Sequence, residues 1–137
     1  MVGLVGNMKP RVLIADDDDG LRQLLRLILA REGFEVIEAA SGEQALALAV
    51  TMDPAVILLD VMMPGMDGYD VCRRLKSDQR TDNVPVVFVS AADDVMRRNE
   101  TQNLGAAACI KKPIGPRDLV TRITAVMSRQ NGVVHAA

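Results

Sequence analysis

Arg11-Val12-Leu13-Ile14-Ala15-Asp16-Asp17-Asp18-Asp19 is a short aliphatic run that stops at four consecutive aspartates, and Leu21, Leu24, Leu25, Ile28 and Leu29 then recur at helical spacing. That pattern predicts a strand, a charged loop and a helix. Gly33 is placed to close the helix. Working outward, Phe34 to Glu38 reads as a second strand, and Ser41-Gly42-Glu43-Gln44 has the form of a capping box before Ala45, Leu46, Leu48 and Ala49. Asp53-Pro54 breaks this second helix. Ala55 to Leu59 is the third strand, ending on Asp60, and a third helix is predicted to begin near Asp67 and carry Val71, Cys72 and Leu75 inward. Pro85 to Val89 is a fourth strand that ends at Ser90. A more polar helix is expected over Asp93 to Asn103, with Val95 and Met96 as its apolar contribution. Ala107 to Ile110 reads as a fifth strand, Pro113 ends it, and Leu119, Ile123, Val126 and Met127 mark the last helix.

Strands that are continuous aliphatic runs, alternating with helices, are expected where helices cover both faces of a parallel sheet, so the pattern predicts a doubly wound α/β fold. The 137 residues suffice for one core. We expect a tail over residues 1–9, a domain over 10–129 and a second tail over 130–137. A composition of 49% hydrophobic and 25% charged residues excludes disordered and fibrous classes. With no Trp, one Tyr and two Phe, the chain is a poor candidate for stacking nucleic-acid bases, and a formal charge of −2 gives no basic footprint, so no direct nucleic-acid contact is expected. Cys72 and Cys109 lie far apart and indicate neither a zinc site nor a disulfide framework. No apolar run approaches the roughly 18 residues of a membrane span, and Met1 to Lys9 is too short for a signal peptide. A soluble, cytoplasmic protein is the expectation.

In doubly wound sheets, ligands bind at the carboxyl ends of the strands. Asp16 and Asp17 follow strand one, Asp60 strand three, Ser90 strand four, and Lys111 and Lys112 strand five. Carboxylates gathered at one edge repel, and a hard divalent cation such as Mg²⁺ is a natural way to hold them together. A lysine opposite supplies a point charge, and a serine hydroxyl can donate to a phosphoryl oxygen. These are parts of a phosphoryl-transfer site, where positioning and charge neutralisation carry the catalysis.

The strand-end set VLIADD, LLDVMMPGMDG, VSA and KKP, taken in this order and spacing, resembles the receiver domain of two-component response regulators over roughly residues 10 to 129. The resemblance implies a flavodoxin-like (βα)5 sheet of strand order 2-1-3-4-5. It also implies a switch domain rather than an enzyme acting on other molecules. Asp60 is the implied phosphoacceptor, taking its phosphoryl group from a phosphohistidine on a sensor histidine kinase or a histidine phosphotransfer protein. Asp17 is the implied direct ligand of Mg²⁺ (or Mn²⁺), with Asp16 holding metal-bound water, Asp60 itself contributing, and Met62 offering its backbone carbonyl. Ser90 matches the hydroxyl residue that turns toward the phosphoryl group, Ala91 the small residue that leaves room for it, and Lys112 the lysine that pairs with the modified aspartate. Pro113 should follow a cis peptide bond. The surface of the fourth helix, fifth strand and fifth helix is the implied docking face for a downstream protein or a second receiver.

One position departs from the family pattern. Three residues before the lysine, where the family carries an aromatic reporter, this chain has Cys109. Cysteine lacks the ring that would alternate between buried and exposed positions, so a relay with little conformational output, or signalling through backbone and fourth-helix movement, is expected instead. The single histidine, His135, lies in the tail, so the phosphoryl donor must come from elsewhere. Residues 130–137 are too few for an effector domain, which leaves a single-domain regulator or a receiver fragment, for example one ahead of a cyclic-di-nucleotide enzyme. Asp19 is expected only to cap the first helix, Lys111 to be an ordinary exposed lysine, and Met62, Met63 and Met66 to pack rather than bind metal. A small phosphatase with an aspartyl nucleophile after strand one would need a threonine where Gly20 stands. A flavodoxin-type cofactor loop is opposed by the four negative charges, and an EF-hand loop would begin on Ala15.

Overall fold

The computed structural model describes residues 9–91 and 103–132. Its strands are β1 (Arg11–Ala15), β2 (Glu35–Ala39), β3 (Val56–Asp60), β4 (Val86–Ser90) and β5 (Ala108–Lys111). Its helices are α1 (Asp19–Arg31), α2 (Gly42–Met52), α3 (Gly68–Lys76) and α4 (Pro116–Gly132), the last being the helix expected at the end of the chain. The helix expected over Asp93 to Asn103 lies, apart from Asn103, outside the described residues. All four strand pairings are parallel, and the five strands run in the order β2-β1-β3-β4-β5, as expected for the doubly wound fold.

Period-2 geometry divides the central strands between two cores. Leu13, Ala15, Ile57, Leu59, Val86 and Phe88 join the cluster under α2 and α3, while Val12, Ile14, Val56, Leu58, Val87 and Val89 join the one under α1 and α4. Both sets are apolar because both sheet faces are covered, which is why β1, β3 and β4 read as unbroken aliphatic runs. The edge strand β2 differs: Glu35 is exposed and Val36, Ile37 and Glu38 are half-buried. The scarce aromatics are concentrated, with Tyr69 of α3 and Phe88 of β4 in tilted contact at 5.4 Å between ring centroids.

Several local readings shift. β2, β3, β4 and β5 each start one residue later than predicted, because ladder pairing includes Ala39, Asp60, Ser90 and Lys111 themselves. The cap of α1 is Asp18, not Asp19: Asp18 is extended and its carboxylate accepts from the Leu21 N–H at 3.1 Å. Asp19 is the first helical residue and pairs with Arg22. Within α1, Leu25 and Leu29 are buried, but Leu24 is 52% exposed although it shares the helical repeat. The Ser41 cap of α2 forms as expected, with Gln44 N–H donating to its hydroxyl at 3.2 Å. Asp53 ends α2 in the left-handed conformation, at φ 48°.

Candidate phosphoryl and cation site

The parallel register brings the carboxyl ends of β1, β3, β4 and β5 to one edge. Ala15 lies beside Leu59, so the next residues, Asp16 and Asp60, are neighbours across adjacent strands. Carboxylate oxygens of Asp16, Asp17 and Asp60 all lie within 4.8 Å of one another. Asp16 and Asp60 are buried and Asp17 is exposed. The Lys112 ammonium reaches in from the end of β5 to Asp60 Oδ1 at 3.3 Å and to Asp16 Oδ2 at 3.5 Å. Its backbone is fixed by donation from the Lys112 N–H to the Ser90 carbonyl at 2.7 Å, and the Lys112-Pro113 bond is cis, as expected.

Burial pushes the Asp60 carboxyl above its ordinary value of 3.8, and the Asp16 carboxylate adds to that push; Lys112 and the Met62 N–H oppose it. For Lys112 the balance is the reverse. Burial lowers its pKa, but attraction to Asp60 and Asp16 outweighs this and holds it above the ordinary 10.5. One ammonium against three carboxylates leaves negative charge uncompensated at close range. An all-oxygen, charge-excess donor set of this kind fits a hard divalent cation such as Mg²⁺ or Mn²⁺.

Ser90 ends β4 and is buried, and its hydroxyl lies 3.6 Å from the Cys109 thiol on the neighbouring strand. Ala91 follows, exposed, and Lys111 is also exposed. Met62 is 68% exposed while Met63 is buried and Met66 packs against the core, so only the last two act as packing residues. The fold thus brings Asp16, Asp17, Asp60 and Lys112 together at one edge and sets Ser90 beside Cys109 at the ends of β4 and β5. The sequence did not show how tightly the β3–α3 turn is held: Gly68 N–H donates to the Val61 carbonyl at 2.9 Å, and a Cβ on Gly68 would sit 2.3 Å from the Asp60 carbonyl oxygen.

Nor did it show Arg22. The Arg22 side chain, only 12% exposed, donates from Nη1 to the Asp16 carbonyl at 2.6 Å and from Nε to Glu38 Oε1 at 3.1 Å, and Nη2 pairs with Asp19. The i,i+3 spacing of Asp19 and Arg22 was a visible signal for one of these contacts. The other two need the tertiary fold.

Comparison with known proteins bears on this edge. The family model described as "Response regulator receiver domain" matches residues 12–124. The chain is 34% identical over 128 residues to the DNA-binding dual master transcriptional regulator RpaA of Synechocystis, covering 93% of this chain and 53% of that protein. It is 39% identical over 122 residues to the transcriptional regulatory protein SrrA of Staphylococcus aureus, covering 89% of this chain and 49% of that protein. The chain therefore spans about half the length of the curated relatives it matches. Among solved structures, a CheY-like receiver domain protein from Methanospirillum hungatei superposes with a TM-score of 0.85 at 28% identity, covering 91% of this chain and 98% of that one. Chemotaxis response regulator CheY4 of Vibrio cholerae gives 0.82 at 28% identity, covering 87% and 99%.

Proposed function

The chain belongs to the response regulator receiver domain family, and on that premise we propose that Asp60 accepts a phosphoryl group from a phosphohistidine of a sensor kinase or phosphotransfer protein. The observation that supports this most is the buried Asp60 carboxylate at a strand end, paired with Lys112 and within 4.8 Å of two further carboxylates. A buried carboxylate is costly without a partner, and Lys112 supplies one here. Here an Asp60 oxygen attacks phosphorus, a P–O bond forms as the P–N bond breaks, and the electron pair returns to the imidazole nitrogen. Lys112 then holds the new phosphoryl oxygens. Asp16, Asp17, Asp60 and the Met62 carbonyl would hold Mg²⁺ or Mn²⁺, which supplies neutralisation of phosphoryl charge. The outcome is a modified state of the domain itself, not turnover of a separate substrate, so the domain acts as a switch.

Ser90 completes the switch by donating its hydroxyl to the phosphoryl group, with Ala91 leaving room. The equilibrium between arrangements shifts only by the energy of that differential contact. Cys109 in place of an aromatic reporter favours a second reading, a phosphoryl relay with little conformational output. Amide chemical shifts of the free and beryllofluoride-bound chain separate the two: responses confined to the Asp60 surroundings favour the relay. Downstream, we propose a protein partner or a second receiver docking beside β5 and α4. DNA binding is a property named for RpaA, and we do not carry it to this chain. No helix among the described residues is long and apolar enough to cross a membrane, and a cytoplasmic location agrees with a phosphohistidine donor.

The test is incubation with acetyl phosphate and Mg²⁺, read by intact mass. The wild type should gain one phosphoryl group, and chelation or Asp60→Asn should abolish the gain. Labelling retained in Asp60→Asn would overturn the assignment.

A further inference from the structure

We infer that Arg22 is a positioning residue for the cation site: anchored on Glu38 of β2, its guanidinium grips both ends of the acidic loop and so sets where the Asp17 carboxylate stands relative to Asp16 and Asp60. This deepens the proposed function and rests on its reading of Asp16, Asp17 and Asp60 as cation ligands.

All three nitrogens of the guanidinium are committed in different directions. Nε is held by Glu38 Oε1 at 3.1 Å, Nη1 reaches the Asp16 carbonyl at 2.6 Å, and Nη2 pairs with Asp19. Glu38 is itself braced on its other oxygen by Arg26 Nη1 at 2.6 Å. Within the loop, Asp18 N–H donates to Asp16 Oδ1 at 2.9 Å, and Asp16 N–H donates to the Ala39 carbonyl at 3.1 Å. The loop is therefore tied to the end of β2 twice, once through backbone and once through Arg22. Asp17 is the exposed member of the three carboxylates, and it lies between the two residues Arg22 holds. Four adjacent carboxylates would otherwise spread to lower their repulsion. A planar fork can serve three acceptors at fixed angles, whereas a lysine ammonium on a flexible stem cannot reproduce that geometry.

Two roles for Arg22 make opposite forecasts. As a mere positive charge near the pocket it repels a divalent cation, so removing it would tighten binding. As a positioning residue, its loss loosens the ligand set and weakens binding, and replacement by lysine does not restore it.

The experiment measures Mg²⁺ affinity by calorimetry on the full chain for the wild type, Asp17→Asn, Arg22→Lys, Arg22→Met and Arg26→Gln, with thermal midpoints in chelator as the fold control. Arg22→Lys and Arg22→Met should each bind Mg²⁺ about tenfold more weakly or worse, the range seen when outer partners of metal ligands are removed. Arg22→Lys binding as tightly as wild type, or Arg22→Met binding more tightly, would overturn the inference. If both Arg22 variants fail to fold, Arg26→Gln decides. Arg26 is 54% exposed, so its loss spares the core while removing the brace on Glu38 Oε2. Weaker Mg²⁺ binding there supports positioning, and unchanged or tighter binding refutes it. A wild type that binds no Mg²⁺, or an Asp17→Asn variant that binds it undiminished, instead defeats the cation-site reading itself.

Discussion

Asp60 sits where burial and a neighbouring carboxylate both act against its charge. A carboxyl whose pKa is raised by folding contributes stability that is complete below its ordinary value of 3.8 and is lost as pH rises through the raised value. Without a divalent cation, ionising Asp60 therefore costs the fold stability. Asp60→Asn should melt higher than wild type in chelator at neutral pH, and the difference should shrink as pH falls toward 4. Scanning calorimetry over that range checks this, and a lower midpoint for the variant at neutral pH contradicts it. Added Mg²⁺ should raise the wild-type midpoint and leave Asp60→Asn much less affected. At this scale the sequence showed a residue's placement wherever position after a strand was enough, as for Asp16, Asp17, Asp60, Ser90 and Lys112. It could not tell Asp18 from Asp19 as the cap, because four identical residues offer no local distinction and only the backbone turn at Asp18 decides. Arg22 escaped because two of its three acceptors, Glu38 and the Asp16 carbonyl, are set by the fold.

The turn from β3 into α3 shows how an element delivers a residue. Asp67 caps α3 by accepting from the Asp70 N–H at 2.9 Å, and Gly68 then packs against the backbone of Asp60 and Val61. A methyl group at position 68 would lie 2.3 Å from the Asp60 carbonyl oxygen, so the helix or the strand end must move. Gly68→Ala should cost about 1–3 kcal/mol in urea unfolding, in the manner of an overpacked core, and slow acetyl-phosphate labelling of Asp60 by shifting its carboxylate. A variant that is fully stable and labels at the wild-type rate would refute this close approach. Asp67→Ala removes only the cap and should cost about 0.5–2 kcal/mol. The sequence placed the start of α3 near Asp67 from the Pro64-Gly65 turn, but nothing in it gave the distance between Gly68 and β3, which depends on how α3 is seated on the sheet. For β2, the expected aliphatic run was interrupted by Glu35 and Glu38 because an edge strand is covered less completely. Glu38 in turn is held below its ordinary 4.5 by Arg26 first and Arg22 second, so the stability from this tie is present above that value and is lost in acid.

Across the whole molecule, strand order converts four separate sequence fragments into one site. With β1 and β3 adjacent at the centre and β4 and β5 following, residues separated by up to 96 positions, as Asp16 and Lys112 are, come within 3.5 Å. This much was legible because aliphatic runs flanked by turn residues mark strands clearly, and β1, β3, β4 and β5 each end on, or run directly into, a polar residue at the same edge. The core supports the edge without taking part in it. Leu58, 1% exposed and paired with Ile14 and Val87, should lose about 2–5 kcal/mol on truncation to alanine while folded molecules keep the wild-type Mg²⁺ affinity. Weakened affinity in the folded fraction would mean that core and site are coupled more closely than the layered architecture implies. In the proposed reaction Asp60 becomes an acyl phosphate. Borohydride reduction after treatment with acetyl phosphate and Mg²⁺, followed by peptide mapping, tests it most directly, because the trapped acyl phosphate is converted to homoserine at the modified position. Homoserine is expected at position 60 alone, and none when Mg²⁺ is chelated. Homoserine at Asp16, Asp17 or any other carboxylate, or an unmodified residue 60 in protein that has gained a phosphoryl group, would contradict the assignment.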